Sequence, residues 1–208
     1  MRIEPGDLLL AIDIQVDFCP GGALAVADGD AVVPLTNGLL DKFTQKVATQ
    51  DWHPADHMSF AANHEGSQPF SEIEVAYGRQ TLWPTHCVIG TKGAAFHPEL
   101  ALDRFDLIIR KGFRASIDSY SAFFENDRTT ATGLAGYLRD RCAKRLFLTG
   151  LATDYCVHYS AMDAIRLGFE VVVVEDACRA IDLGGSLARA RAEWDAAGIA
   201  VTTSTAIG

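Results

Sequence analysis

The sequence predicts an α/β protein: a doubly wound, mainly parallel six-stranded sheet with helices on both faces, in a Rossmann-like three-layer arrangement. Short apolar runs rich in β-branched residues recur at 8–14, 46–49, 107–110, 145–149, 170–174 and 199–203. Stretches of helical periodicity lie between them, and strands that alternate with helices must run parallel and be joined by crossovers. The 208 residues, 49% hydrophobic and 22% charged, suit a single domain over 1–208 with one substantial core.

The run at 8–14 is apolar from Leu8 to Ile12, as expected of a strand covered on both faces, before it reaches Asp13. A helix is expected over 31–43 and the second strand at 46–49. About 50 residues then separate the second strand from the third, far more than an ordinary connection needs. This excursion, about 52–106, contains His53, His57, His64, His86 and His97 along with Trp52 and Trp83. Past the third strand, a helix is expected over 130–143. After the fourth strand, Val157, Ala161, Ala164 and Ile165 keep i, i+4, i+7, i+8 spacing until Gly168. A last helix is expected over 185–197, before the sixth strand.

Lys and Arg number 18 against 27 Asp and Glu, a net charge of −9, which provides no general field for nucleic acid or anionic lipid. Unbroken apolar runs such as 8–12 and 171–174 are far short of the roughly 20 residues a membrane span needs. The N-terminus has neither an apolar h-region nor a small-residue cleavage site, so a cytoplasmic protein is expected. Five scattered cysteines form neither a disulfide framework nor a thiolate zinc site. Gly21-Gly22 and Gly184-Gly185 belong to no dinucleotide or P-loop motif. The sequence leaves a homo-oligomer open.

In open α/β sheets the working groups lie beyond the C-terminal strand ends. Those ends carry Asp13, Asp51, Lys111 and the segment Gly150-Leu151-Ala152-Thr153-Asp154-Tyr155-Cys156. Cys156, on the first turn of the following helix, is placed where the helix dipole favours a thiolate and free N–H groups can receive an oxyanion. Alternatively it is a small buried apolar residue. Asp13 needs a partner if buried; Lys111 is the counter-charge, and the carboxylate either takes the thiol proton or forms an ion pair that fixes loops. Asp51, His53 and His57, with His86 returning from the excursion, form a ligand set suited to zinc, iron or manganese, unless these histidines are simply solvated. Phe18 and Trp83 are candidate walls of a slot for a flat ligand, or else ordinary core.

Taken together, Asp13-Ile14-Gln15-Val16-Asp17-Phe18-Cys19-Pro20-Gly21-Gly22, Thr49-Gln50-Asp51-Trp52-His53-Pro54, Trp83-Pro84-Thr85-His86-Cys87, Lys111-Gly112 and Gly150-Leu151-Ala152-Thr153-Asp154-Tyr155-Cys156-Val157 resemble the bacterial nicotinamidase/pyrazinamidase family of isochorismatase-like cysteine hydrolases. The resemblance implies that fold and the metal-dependent hydrolysis of nicotinamide to nicotinate and ammonia in NAD salvage, with pyrazinamide a further substrate. It implies Cys156 as nucleophile, Asp13 as acid–base residue and Lys111 as third triad member. Ala152 and Cys156 N–H groups would form the oxyanion hole, with a cis peptide between Leu151 and Ala152. One divalent ion (zinc, iron or manganese) would be held by Asp51, His53 and His86, with His57 a ligand or a water-mediated neighbour. Phe18 and Trp83 would hold the substrate ring. Val16 stands where many members carry asparagine, which implies altered hydrogen bonding near Phe18. Other readings of the same residues are hydrolysis of another small amide, or a catalytically silent binder on this fold.

Overall fold

The computed structural model describes all 208 residues. The main sheet contains β1 (Asp7–Ile12), β2 (Gln45–Asp51), β5 (Leu107–Lys111), β6 (Arg145–Leu151), β7 (Glu170–Arg179) and β8 (Ala200–Thr202), in the order β5-β2-β1-β6-β7-β8. Every pair in it is parallel. The helices are α1 (Val32–Leu39), α2 (Leu134–Asp140), α3 (His158–Arg166) and α4 (Ser186–Ala197). Each expected strand and helix is present, the first two helices shorter than their apolar patterns. The excursion adds one antiparallel hairpin, β3 (Glu72–Val75) with β4 (Gly78–Thr81).

The three layers follow from strand periodicity, since alternate side chains leave opposite faces. Leu8, Leu10 and Ile12 pack with Leu146 and Leu148 under Leu134, Leu138, Ala161, Ala164 and Trp194 of α2, α3 and α4. Leu9, between them, turns to the other face and joins Phe147, Val172 and Val174 against Leu39 and Leu40 at the end of α1. Burying each such leucine contributes roughly 1.5–3 kcal/mol. No helix is long and apolar enough to cross a membrane.

Strand order positions the site. From β1 the chain builds outward through β2 and β5 on one side, then returns to β6 on the other side and continues through β7 and β8. The order reverses between β1 and β6, and the crevice beyond the C-terminal ends at such a reversal is where open sheets bind ligands. β1 runs out into Asp13 there, and β6 runs out into the turn that bears Cys156.

Candidate active site

Close backbone approach brings the two central strand ends together. Ile12 pairs with Gly150, and a Cβ on Gly150 would stand 2.0 Å from the Ile12 carbonyl oxygen. Only glycine fits there, and its φ of +112° is also one that glycine tolerates best. The following Leu151–Ala152 peptide is cis. Thr153–Val157 then form a π-helical turn ahead of α3, with Tyr155 and Val157 amides both donating to the Ala152 carbonyl. The Ala152 amide itself donates to no protein group.

Asp13, Lys111 and Cys156 converge at this point. Lys111 Nζ lies 2.9 Å from Asp13 Oδ2 and 2.5 Å from Asp51 Oδ1. It also donates to the Ser119 carbonyl at 2.8 Å and stands 3.6 Å from Cys156 Sγ. Sheet register explains part of this, because Asp51 and Lys111 are direct partners across β2 and β5. Asp13 is fully buried; its Oδ1 accepts the Thr49 hydroxyl at 2.5 Å, while Oδ2 has no aligned hydrogen-bond donor. Carboxylate and Cys156 sulfur lie within 4.8 Å of each other, which makes Asp13 the candidate acceptor for the thiol proton.

Electrostatics match that geometry. Burial raises the Asp13 carboxyl above its ordinary range despite Lys111, making it a stronger base than a solvated carboxylate. Burial also pushes the Cys156 thiol well above 9.0, with Lys111 opposing and Asp13 adding to the rise. Burial thus works against the thiolate that the helix terminus favours, which gives a neighbouring base its role in taking the proton. Lys111 remains charged because Asp13 and Asp51 outweigh its burial.

Beside this triad, ligating atoms of Asp51, His53 and His86 lie within 4.8 Å of one another. His53 Nε2 is 3.4 Å and His86 Nε2 3.9 Å from Asp51 Oδ2. Each ring is oriented from behind: His53 Nδ1 donates to the Gly112 carbonyl at 2.8 Å and His86 Nδ1 to that of Pro84 at 2.7 Å. The Nδ1 protons are thereby fixed and both Nε2 atoms face the carboxylate, the arrangement second-sphere groups impose on metal ligands. Against the effect of burial, Asp51 raises His53 above its ordinary value, so with no ion bound this ring favours its charged form. Burial, with the charge of His53, lowers His86 to about 4, so it is neutral as a ligand must be. Burial alone would raise Asp51, but Lys111 and then His53 hold it well below the usual carboxylate range. This donor set fits a divalent transition metal.

His57 is placed differently. Its ring packs 4.2 Å from that of His53, but Nδ1 meets the Ser59 hydroxyl at 2.8 Å and Nε2 the Ile117 carbonyl at 3.2 Å. It groups with His53 and Asp118, not with Asp51 and His86. His64 binds the Met58 carbonyl, outside the cluster.

A narrow pocket opens onto sulfur and ligands, lined by Phe18, Trp83, His86, Ala152 and Cys156 with Tyr120, Tyr155 and Asp118. Trp83 and Tyr155 meet edge to face at 4.9 Å, and Trp83 Nε1 donates to the Tyr120 hydroxyl at 3.0 Å. Sequence reasoning did not single out Tyr155, Tyr120, Asp118 or Thr49. Tyr155 sits inside the cysteine motif and could have been noticed; Asp118 and Tyr120 lie in a loop without periodicity or motif. Val16 is half-buried and acts through its main chain, its amide donating to the Ala95 carbonyl at 2.9 Å. The polar ties near Phe18 come from Asp17, which accepts the Cys87 amide at 2.7 Å and the Ala23 amide at 3.2 Å.

Residues 7–206 match the isochorismatase domain family, and the chain belongs to that family of α/β proteins. Within it, a nicotinamidase from Acinetobacter baylyi is 52% identical over 191 residues, 92% of this chain and 89% of the relative. Among solved structures, a nicotinamidase/pyrazinamidase from Acinetobacter baumanii is 51% identical with a TM-score of 0.96, covering 98% of both chains. An L. infantum structure in complex with nicotinate is 40% identical with a TM-score of 0.86, covering 98% of this chain and 96% of that one. A Pyrococcus horikoshii pyrazinamidase in complex with zinc is 35% identical with a TM-score of 0.77, covering 96% and 99%.

Proposed function

We propose that this chain is a nicotinamidase, an amidohydrolase that converts nicotinamide to nicotinate and ammonia through a cysteine thioester and so serves NAD salvage. The observation that carries the mechanism is the buried Asp13 carboxylate within 4.8 Å of the Cys156 sulfur, with a lysine 2.9 Å from the one and 3.6 Å from the other. Asp13 takes the thiol proton, and Lys111 stabilises the thiolate as it forms. Cys156 attacks the carboxamide carbon while the Ala152 and Cys156 amides receive the oxyanion. Asp13 returns its proton to the leaving nitrogen and ammonia departs. The same carboxylate activates a water that cleaves the thioester, releasing nicotinate and restoring the thiol.

Asp51, His53 and His86 would hold one divalent ion, with His57 behind His53. When bound, that ion supplies a Lewis-acidic contact for a ring nitrogen and so orients the substrate. Phe18 and Trp83 hold the ring from its sides, and an aza-substituted ring of the same size, as in pyrazinamide, fits the same walls. We also place the protein in the cytoplasm, without nucleic acid or membrane partners, on its net charge of −9 and lack of a spanning helix. The deciding experiment is ammonia release from nicotinamide by purified protein, before and after chelator treatment, beside Cys156→Ala. Release that requires both the ion and the thiol is expected; no release from folded, metal-loaded protein would overturn the assignment.

A further inference from the structure

The parallel ladder between β1 and β2 runs from Leu8↔Gln45 to Ala11↔Ala48 and then stops, because Asp13 turns into the left-handed region at φ 47°. The strand end that bears Asp51 thus loses its main-chain partner on the β1 side. Gln15, completely buried, takes its place. Its Nε2 donates to the Asp51 carbonyl at 2.8 Å and to the Ala94 carbonyl at 2.9 Å, and its Oε1 accepts the Asp51 amide at 2.8 Å. A primary amide has the donor and acceptor of a peptide group, so this side chain exchanges with Asp51 the pair of bonds that a strand neighbour would. The Gln15 amide also donates to the Asp13 carbonyl at 2.8 Å, closing the turn that carries the base. One residue therefore ties the main chains of Asp13 and Asp51 together.

We propose that Gln15 is a positioning residue for the metal site, its side-chain amide acting as a surrogate strand that fixes the Asp51 carboxylate against His53 and His86. The inference rests on Asp51 as a ligand. Buried hydrogen-bonding groups behind a ligand typically change metal affinity by about 10- to 100-fold. Gln15→Met keeps side-chain length and removes all three bonds. Gln15→Glu keeps the acceptor for the Asp51 amide but turns an oxygen toward the carbonyls of Asp51 and Ala94. In both variants the main-chain bond to Asp13 persists, so the thiol and its base keep their relation.

The test is zinc(II) affinity of the full-length protein by competition with a chromogenic chelator, together with steady-state kinetics at increasing zinc and the alkylation rate of Cys156. Gln50→Met is the control: Gln50 is also buried and donates to the same Ala94 carbonyl at 2.9 Å, but its side chain makes no bond to Asp51. Both Gln15 variants should bind zinc about 10- to 100-fold more weakly, recover turnover as zinc is raised, and show wild-type alkylation of Cys156. Gln50→Met should lose stability while keeping zinc affinity. Wild-type affinity in Gln15→Glu or Gln15→Met, with affinity lost in Asp51→Ala, would overturn the positioning role alone. Undiminished affinity in Asp51→Ala would overturn the ligand assignment, and the positioning role with it.

Discussion

Asp13 Oδ2 and Lys111 Nζ stand 2.9 Å apart inside the protein, both side chains fully buried, without an aligned hydrogen bond between them. Breaking such a buried pair by removing one partner is costly, about 3–5 kcal/mol, because it leaves an uncompensated charge. The same carboxylate lies within 4.8 Å of the Cys156 sulfur. Asp51 shares the same ammonium at 2.5 Å, so one lysine serves the proton-transfer group and the ion-binding group together.

Cys156→Ala should lower turnover by a factor on the order of 10⁴ or more, since nucleophile removal leaves only binding and oxyanion contributions. Metal content and melting temperature should change little. Ammonia release and elemental analysis check this, and near-normal turnover would remove Cys156 from the mechanism.

Asp13→Asn retains shape but cannot move a proton, and a loss of roughly 10²- to 10⁴-fold is expected at every pH. A variant whose activity returned at alkaline pH would show that the thiol can ionise without this carboxylate.

The Cys156 thiol is pushed well above 9.0, first by burial and then by Asp13, with Lys111 opposing. Raised pKa means the neutral thiol predominates below that value, and each unit of rising pH increases the thiolate about tenfold. In chelator-treated protein, iodoacetamide should therefore alkylate Cys156 faster with each step in pH and without a plateau below about pH 8. Site-resolved mass spectrometry separates it from the exposed Cys142. An early plateau would mean a resting thiolate.

Gly112 lies at φ +68°, and a Cβ there would stand 2.4 Å from His53 Cε1. Gly112→Ala should lower stability by about 1–3 kcal/mol for the left-handed backbone and displace the His53 ring. Calorimetry and a zinc titration check both effects; unchanged zinc affinity would show that His53 does not need the Gly112 contact to ligate.

The order of strands and helices, and the residues at the strand ends, were readable because periodicity records which side of each element is buried. Asp13, Asp51, Lys111 and Cys156 stand where apolar runs stop, and the five motifs around them name a family that the fold and the relatives bear out. Distances between different strand ends were not readable. Register alone places Lys111 beside Asp51, and the reversal between β1 and β6 brings Asp13 near Cys156. Histidine spacing gave no sign that His57 would face Ile117 while His86, 33 residues beyond His53, faces Asp51. Nor could a helix-terminus argument anticipate how strongly burial raises the Cys156 thiol, since depth of burial belongs to the assembled layers. Local sequence thus determined which groups this protein has at its strand ends, because propensity and patterning act over a few residues. Only the tertiary structure decided which of them meet and in which protonation state, because both depend on sheet order, register and the exclusion of water.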